Sequence, residues 1–480
     1  MKSVLFALPN QIPQPGLFGN LNNLKYPTFP PLGLMYIASV IEKLGNSVEI
    51  IDLSVFDYSD EYIFKRIVSA DFVGINVFTH SFKLAKNLAR RIKSLSEDIL
   101  IIIGGPHCTF LKEKSLNDIP EAKIAVVLEG ENVIKEIIKY LEGKRNLSEI
   151  PGIYYREGKE IKKGKPFEII EDLDLIPFPA RHLIDESKYG KFPWYDFSKI
   201  KYTSMITSRG CPFRCRFCSR YCNVFPRWGY RERSSENVVK ELVELNDKYG
   251  FVTIVDDNFL TNIKRAHLIF DELIEYGTDI LIQILGTRCD IVDRVLFDKM
   301  KRVNVRYITF GVESGNQDVL DFYNKKITLN QIRNTLKLAD DFGFNNSATL
   351  ILGAPIETKT HINNTIDFIC SLPLDHIIVH ILFYDMGSDL WVEAVKEGKI
   401  SKDEFEVPSI IERGLSNFTY DELINYQNIV ARKFYMRIKY IIKQIIKSIN
   451  DKDSLRLKQI IRVLISLQFK NFLFPIDVHK

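Results

Sequence analysis

Apolar residues recur along this chain in two rhythms. Between residue 3 and about residue 143, short β-branched runs (SVLFAL, SVEIIDL, FVGINVF, ILIIIGG and IAVVLEG) alternate with stretches whose apolar positions fall at helical spacing (GLMYIASVIEKLG, SDEYIFKRIVSA, KLAKNLARRIKSL and ENVIKEIIKYLEG). The pattern predicts five strands and at least four helices in turn. Strands this uniformly apolar are buried on both faces, which calls for a parallel sheet between helices, a doubly wound α/β domain. From residue 144 to about residue 200 the rhythm is lost. There GIYYREGKEIKKG reads as a small β-hairpin, and LDLIPFPARHLIDESKYGKFPWYDF as a Pro- and aromatic-rich connector. Strand–helix alternation then resumes, from YTSMITSRG to HIIVHILFYDMG, and predicts six further strands. A second unit of this kind is another open sheet or a full or partial (β/α) barrel, with its chemistry at the carboxyl ends of the strands. Beyond about residue 390 the sequence is largely helical and carries no strand signal.

Composition narrows the reading. A length of 480 residues is enough for two or three domains, and 46% apolar residues mark a folded chain. The formal net charge of +4 is too small to argue for a nucleic-acid partner. The opening MKSVLFALPNQIPQPG is apolar for too few residues to be a signal peptide and lacks a small-residue cleavage site. No uninterrupted apolar run is long enough to span a bilayer. The expected location is therefore the cytoplasm, where clustered thiols more often bind metal or do redox chemistry than form disulfides.

Chemistry-bearing residues collect at the predicted strand ends. In the first block these are Pro9 and Asn10, then Phe78, Thr79, His80 and Ser81, then Gly104, Gly105, Pro106 and His107, and finally Glu129, Gly130 and Glu131. In the second block SRGCPFRCRFCSR follows the first strand and holds Cys211, Cys215 and Cys218, three of the seven cysteines. Tetrahedral zinc and a fully protein-bound iron–sulfur cluster each need four protein ligands. Cys222, four residues past Cys218, would close such a site; without it, three thiolates leave one metal position open for chemistry. Cys108, Cys289 and Cys370 read as buried thiols.

The pattern CPFRCRFC, with an aromatic residue before its last cysteine, resembles the cluster loop of radical S-adenosylmethionine (SAM) enzymes. VDDNFLT, GTRCD, FGVESG and LGAPIET stand at the following strand ends and look like that family's counterparts. PPLGLMYIASVIEKLG, IIIGGPHCTF and VVLEGEN make the first block similar to the cobalamin-binding domain that precedes the radical SAM domain in one large subgroup. The resemblance implies a Rossmann-like cobalamin-binding domain over residues 1–145 and a linker with a hairpin over 146–198. It further implies a partial (β/α)6 TIM-type barrel over 199–388 and a helical region over 389–480. By the same resemblance Cys211, Cys215 and Cys218 hold a four-iron four-sulfur (4Fe-4S) cluster. Its fourth iron takes the amino and carboxylate groups of SAM, which is cleaved reductively to a 5′-deoxyadenosyl radical. For SAM the resemblance implies Asp256 and Asp257 at the ammonium, Arg288 at the carboxylate, and Glu313 and Ser314 near the ribose or methionyl group. Phe217 would pass the adenine, and Gly311 and Gly353 would let the backbone approach. For cobalamin it implies Asn10, Thr79, His80, Ser81, Gly104, Gly105, Pro106, His107, Gly130 and Glu131. Many cobalamin domains carry a cobalt-ligating His after the first strand; LPNQIPQPG has none, so the lower face of the cofactor is expected to lack that ligand.

The activity this implies is methyl transfer to an unactivated carbon. Ring closure or oxidation by the same radical, as in the anaerobic magnesium-protoporphyrin cyclase group, is one alternative; a non-catalytic iron–sulfur or cobalamin-binding protein is another. A methylthiotransferase would bring more cysteines in its N-terminal domain, where this chain has only Cys108. An electron donor such as a ferredoxin or flavodoxin is implied, with a small-molecule or lipid substrate. Other roles for single residues stay open: Asp257 would also serve as a helix N-cap, and Arg288 with Glu313 as a structural ion pair. Residues 431–480 carry twelve Lys or Arg against three Asp, with apolar residues between them. Such basic amphipathic helices either lie on an anionic membrane face or cap the barrel.

Overall fold

The computed structural model describes residues 1–9, 29–55, 59–191, 200–223, 225–226, 228–290 and 293–450. These divide into two compact units, one of residues 1–9, 29–189 and 220–237, the other of residues 190–219 and 238–450.

The first unit is built on seven strands: β1 (Lys2–Ala7), β2 (Ser47–Asp52), β3 (Phe72–Asn76), β4 (Leu100–Gly104), β5 (Ile124–Val126), β6 (Ile153–Glu157) and β7 (Glu160–Lys163). Their order is β2-β1-β3-β4-β5-β6-β7. The first five pair in parallel, and the predicted hairpin β6–β7 continues the sheet antiparallel to β5. The apolar runs form strands because successive side chains enter opposite cores. Val4, Phe6, Ile75, Ile101 and Ile103 pack into one core with the helix Phe82–Leu95. Leu5, Ala7, Ile102 and Ile124 pack into the other, with the helices Leu32–Lys43 and Gly130–Leu141. Each such side chain taken from water contributes about 1.5–3 kcal/mol. Strand order reverses between β1 and β3, and the crevice outside the carboxyl ends of strands at such a reversal is where doubly wound sheets bind ligands.

In the second unit β8 (Tyr202–Met205), β9 (Phe251–Ile254), β10 (Leu281–Thr287), β11 (Val305–Glu313), β12 (Asn345–Leu352) and β13 (His376–Ile381) pair in chain order, every neighbour parallel. Sequential winding is that of a (β/α) barrel, and with six strands it is left open at β8 and β13. The free edge of β13 is blocked by α1 (Tyr420–Tyr435). Tyr435 Oη accepts the Ile377 N–H (3.0 Å) and donates to its carbonyl (3.1 Å), and Gln427 Nε2 donates to the Val379 carbonyl (2.5 Å). A two-stranded antiparallel sheet, Phe383–Asp385 with Glu406–Pro408, puts a strand into the region expected to be largely helical without a strand signal. Three residues are too few to carry a readable period. No described helix is long and apolar enough to cross a membrane.

A final helix, α2 (Ile438–Asn450), is anchored on Asp375, the residue before β13. The fully buried Asp375 carboxylate accepts hydrogen bonds from Asn346 N–H (2.9 Å), Gln444 (2.7 Å) and Lys447 (2.9 Å). Burial alone would raise its pKa, but the charges of Lys447 and Lys443 and the Gln444 hydrogen bond outweigh it and hold the group at about 2, against an ordinary 3.8. The stabilisation is therefore present above about pH 4 and is lost as pH falls towards 2. We predict that Lys447→Met, which strips a buried carboxylate of its cation, lowers unfolding stability in urea by about 3 kcal/mol at neutral pH. The gap to wild type should narrow as pH falls from about 4.

Candidate active site

The loop after β8 presents Cys211 half-buried, Cys215 buried and Cys218 exposed. Protein contacts alone fix its path from two directions. From the turn that ends the helix Gln317–Phe322, Arg216 N–H donates to the Tyr323 carbonyl (2.9 Å), Arg216 Nη1 to the Phe322 carbonyl (3.1 Å) and Asn324 Nδ2 to the Arg214 carbonyl (2.7 Å). Asn324 and Lys326 in that turn hold left-handed φ of 52° and 54°. From the other direction, Ser219 Oγ donates to the Met386 carbonyl (2.6 Å) and Leu390 N–H to the Arg216 carbonyl (3.2 Å). Phe217 stands edge-on to Tyr323, ring centres 5.1 Å apart.

The two aspartates at the end of β9 differ in use. Asp256 is buried and accepts the Thr207 N–H (2.6 Å), the Thr207 hydroxyl (2.6 Å) and the Ser208 hydroxyl (2.5 Å), so it shapes the turn leading into the cysteine loop. Burial raises its pKa, against the pull of those hydrogen bonds. Asp257 is reached by solvent, yet the protein around it raises its pKa, opposed by a hydrogen bond from the Gly210 N–H. Burial likewise raises the Cys211 thiol, and the negative charge of Asp257 adds to the shift while Arg288 opposes it.

Arg288 and Glu313 do not pair with each other. Arg288 forks onto Asp290 (2.9 and 2.8 Å), donates to the Lys325 carbonyl (2.8 Å) and lies 3.9 Å over the Phe213 ring. Glu313 takes the Lys325 ammonium on Oε1 (2.6 Å) and the Thr349 hydroxyl on Oε2 (3.1 Å). Glu313 sits at φ +64°, and a Cβ on Gly311 would come within 2.6 Å of both the Glu313 Oε1 and the Lys325 Nζ, so glycine is what leaves room for the pair. The Ser314 hydroxyl is buried beside Thr365 and Asn316. Gly353, at φ +104°, donates its N–H to Glu357 Oε2 (2.6 Å), as does Ala354 (2.9 Å), while burial pushes the Glu357 pKa up to about 7. His380 is the one exposed position of β13 and shares a face with Ile351 and Thr349. Surrounding protein lowers its pKa, partly offset by the charge of Glu313. Cys289 and Cys108 are buried thiols pushed up to about 12, and Cys370 is half-buried. The Cys222 side chain lies outside the described residues.

In the first unit the switch-point residues form a compact loop set. The Ser81 hydroxyl and the Phe78 backbone bond each other (3.2 Å both ways), and His80 stacks on Phe78 at 5.5 Å. Gly105 is at φ +112°, where a Cβ would meet Asn76 Oδ1 at 2.4 Å. Gly104 and Pro106 flank it, and the Thr79 carbonyl accepts the Phe82 N–H (3.3 Å). His107 is buried, stacked on Phe82 at 4.7 Å, and desolvation lowers its pKa to about 4. A Cβ on Gly130 would meet Ile37 Cδ1 at 2.8 Å, and Glu131 is buried. Its neighbour Glu129 accepts the Ile170 N–H (3.0 Å) and pairs with buried Arg231 (2.9 Å). Asn10 lies outside the described residues.

Comparison with known proteins decides what this arrangement belongs to. The Radical SAM superfamily model matches residues 205–369, and the B12 binding domain model matches residues 24–138. An uncharacterized methyltransferase of Pyrococcus horikoshii is 31% identical over 424 residues, 87% of this chain and 90% of that protein. The chain belongs to the cobalamin-binding radical SAM enzymes. An anaerobic magnesium-protoporphyrin IX monomethyl ester cyclase of Rubrivivax gelatinosus is 28% identical over 70% of this chain and 61% of its own. The cobalamin-dependent SAM radical enzyme OxsB, solved with aqua-cobalamin and SAM, shares the fold with a TM-score of 0.71 and 18% identity, over 100% of this chain and 73% of that one.

The cofactors of this radical SAM enzyme are a 4Fe-4S cluster, SAM and cobalamin. Its residues fit them. Cys211, Cys215 and Cys218 bring three thiols into one short loop, and thiolate sulfur is the donor that iron–sulfur clusters take. In the first unit, His80 Nε2 is a buried polar atom with no hydrogen-bond partner among the described residues, in the loop that follows β3, and doubly wound sheets bind ligands outside the carboxyl ends of their strands. Lys325, Thr349, Asp290 and His380 were not legible as site residues in the sequence. The only signal for Lys325 was its place in YNKK after FGVESG, and a single lysine in a polar turn carries no pattern. We predict that Lys325→Met, leaving Glu313 buried and unpaired, destabilises the fold by about 3–5 kcal/mol in urea. It should also weaken SAM binding measured by equilibrium dialysis on the reconstituted protein.

Proposed function

We propose that this enzyme transfers a methyl group from SAM to an unactivated carbon of a small molecule. The observation that supports the reading is the joining, in one chain, of a three-thiol loop at a barrel mouth with a B12-binding domain. When bound, the cluster supplies the electron that cleaves SAM, and cobalamin carries the methyl group. The Cys211, Cys215 and Cys218 thiols hold the cluster and leave one iron for SAM. Asp257 receives the SAM ammonium, because the oxygens of Asp256 are already committed to Thr207 and Ser208. Arg288, held in a fork by Asp290, presents fixed positive charge to the SAM carboxylate. Glu313 and Ser314 meet its ribose or methionyl group, Phe217 its adenine, and Gly311 and Gly353 keep the backbone close. Thr79, His80, Ser81, Gly104, Gly105, Pro106, His107, Gly130 and Glu131 line the cobalamin loops, and Asn10 is assigned to the same cofactor by the sequence resemblance alone. The electron comes from a small carrier of the ferredoxin or flavodoxin kind. The likeness to the cyclase supports ring formation by the same radical as the second reading.

Anaerobically reconstituted protein should hold one four-iron cluster and cleave SAM after reduction. Changing Cys211, Cys215 and Cys218 together to Ala should abolish both properties, while Cys222→Ala keeps them. Purified with cobalamin supplied, the protein should retain near-stoichiometric corrinoid with a spectrum free of histidine ligation. Loss of corrinoid under conditions that keep the cluster would favour radical chemistry without cobalamin.

A further inference from the structure

The helix α2 has two unlike faces. On one, Tyr440, Gln444 and Ser448 are buried, and the helix is tied down by polar contacts. Tyr440 Oη donates to the Asp375 carbonyl (2.8 Å), Lys447 to the Phe344 carbonyl (2.9 Å), and Lys443 to Asp340 (2.7 Å). On the other face Ile438, Ile442, Ile445, Ile446 and Ile449 are 74, 52, 37, 52 and 67% exposed. Residues three and four apart share a helix face, so these five make one continuous apolar stripe. Single exposed apolar residues need no explanation, but a contiguous stripe marks a contact surface.

We propose that the stripe is the docking face for this chain's own residues 455–474, LRLKQIIRVLISLQFKNFLF. The described residues end with this helix at Asn450, and thirty residues follow it. Asp451, Lys452, Asp453 and Ser454 make a four-residue polar link with helix-capping side chains, the length that joins two antiparallel helices. Beyond the link, Leu457, Ile460, Ile461, Leu464 and Leu467 recur at helical spacing, with Lys458, Gln459, Arg462 and Ser466 on the opposite side. An apolar face of matching length thus follows directly on the exposed one. An anionic lipid surface is the poorer match. It requires a row of cations beside the apolar stripe, whereas this helix offers one exposed lysine there, Lys439, and Arg437, Lys443 and Lys447 are turned into the protein, onto backbone carbonyls, Asp340 and Asp375.

The test uses the full-length holoprotein in both directions. Ile442→Lys with Ile446→Lys should speed tryptic cleavage after Lys458 and Arg462 at least tenfold. Leu457→Asp with Leu464→Asp, which leave α2 itself intact, should speed amide exchange in residues 438–449 by a similar factor. Iron and corrinoid content should stay at wild-type levels in both. Wild-type protein cut after Lys458 as fast as the isoleucine variant overturns the proposal, as does exchange in 438–449 indifferent to the leucine changes. Two further outcomes replace it with another occupant: a concentration-dependent dimer that the isoleucine changes dissociate, or sedimentation with phosphatidylglycerol vesicles that they abolish.

Discussion

The contact between the Lys325 ammonium and the Glu313 carboxylate, 2.6 Å long and shut away from water, joins the main parts of the barrel mouth. Glu313 comes from the end of β11, bent there into a left-handed conformation, and β12 adds the Thr349 hydroxyl to its second oxygen. Lys325 comes from the turn whose backbone holds the cysteine loop. Gly311 has no side chain because the pair occupies that space. A buried ion pair of this kind adds little net stability, but removing either member is costly, so it fixes relative positions rather than strengthening the fold.

Electrostatics bear on the first thiol of the loop. Burial and the nearby Asp257 carboxylate favour the protonated Cys211 thiol, so metal binding there must displace a proton. The guanidinium of Arg288 opposes this, and Asp290 holds it in place through two hydrogen bonds. Asp257 and Arg288, which act on Cys211 in opposite directions, stand at the ends of β9 and β10, the same strand ends that carry the proposed SAM contacts.

Much of this was legible in the sequence. The β-branched runs of the first block became strands with alternate residues in two cores, as Ile101, Ile102 and Ile103 show, because burial on both faces leaves an unbroken apolar run. The cysteine spacing and the strand-end motifs carried the family resemblance that the comparisons bear out. Pairing was not legible: Glu313 with Lys325 depends on a turn twelve residues downstream of Glu313 that folds back over it, and Arg288 turns to Asp290, two residues along its own loop, rather than to Glu313. The use of Asp256 as a scaffold was likewise hidden, since its partners Thr207 and Ser208 belong to another strand's loop. His380 was not legible because HIIVHI reads as a buried apolar strand whichever way its second histidine faces.

Electron paramagnetic resonance of the reduced, reconstituted protein, recorded with and without SAM, asks most directly whether three cysteines leave one iron open. SAM should shift the g-values of the cluster signal, and nitrogen-15 in the SAM amino group should appear in its hyperfine couplings. A cluster signal that SAM leaves unchanged would contradict an open iron and point to a fully protein-bound, structural cluster.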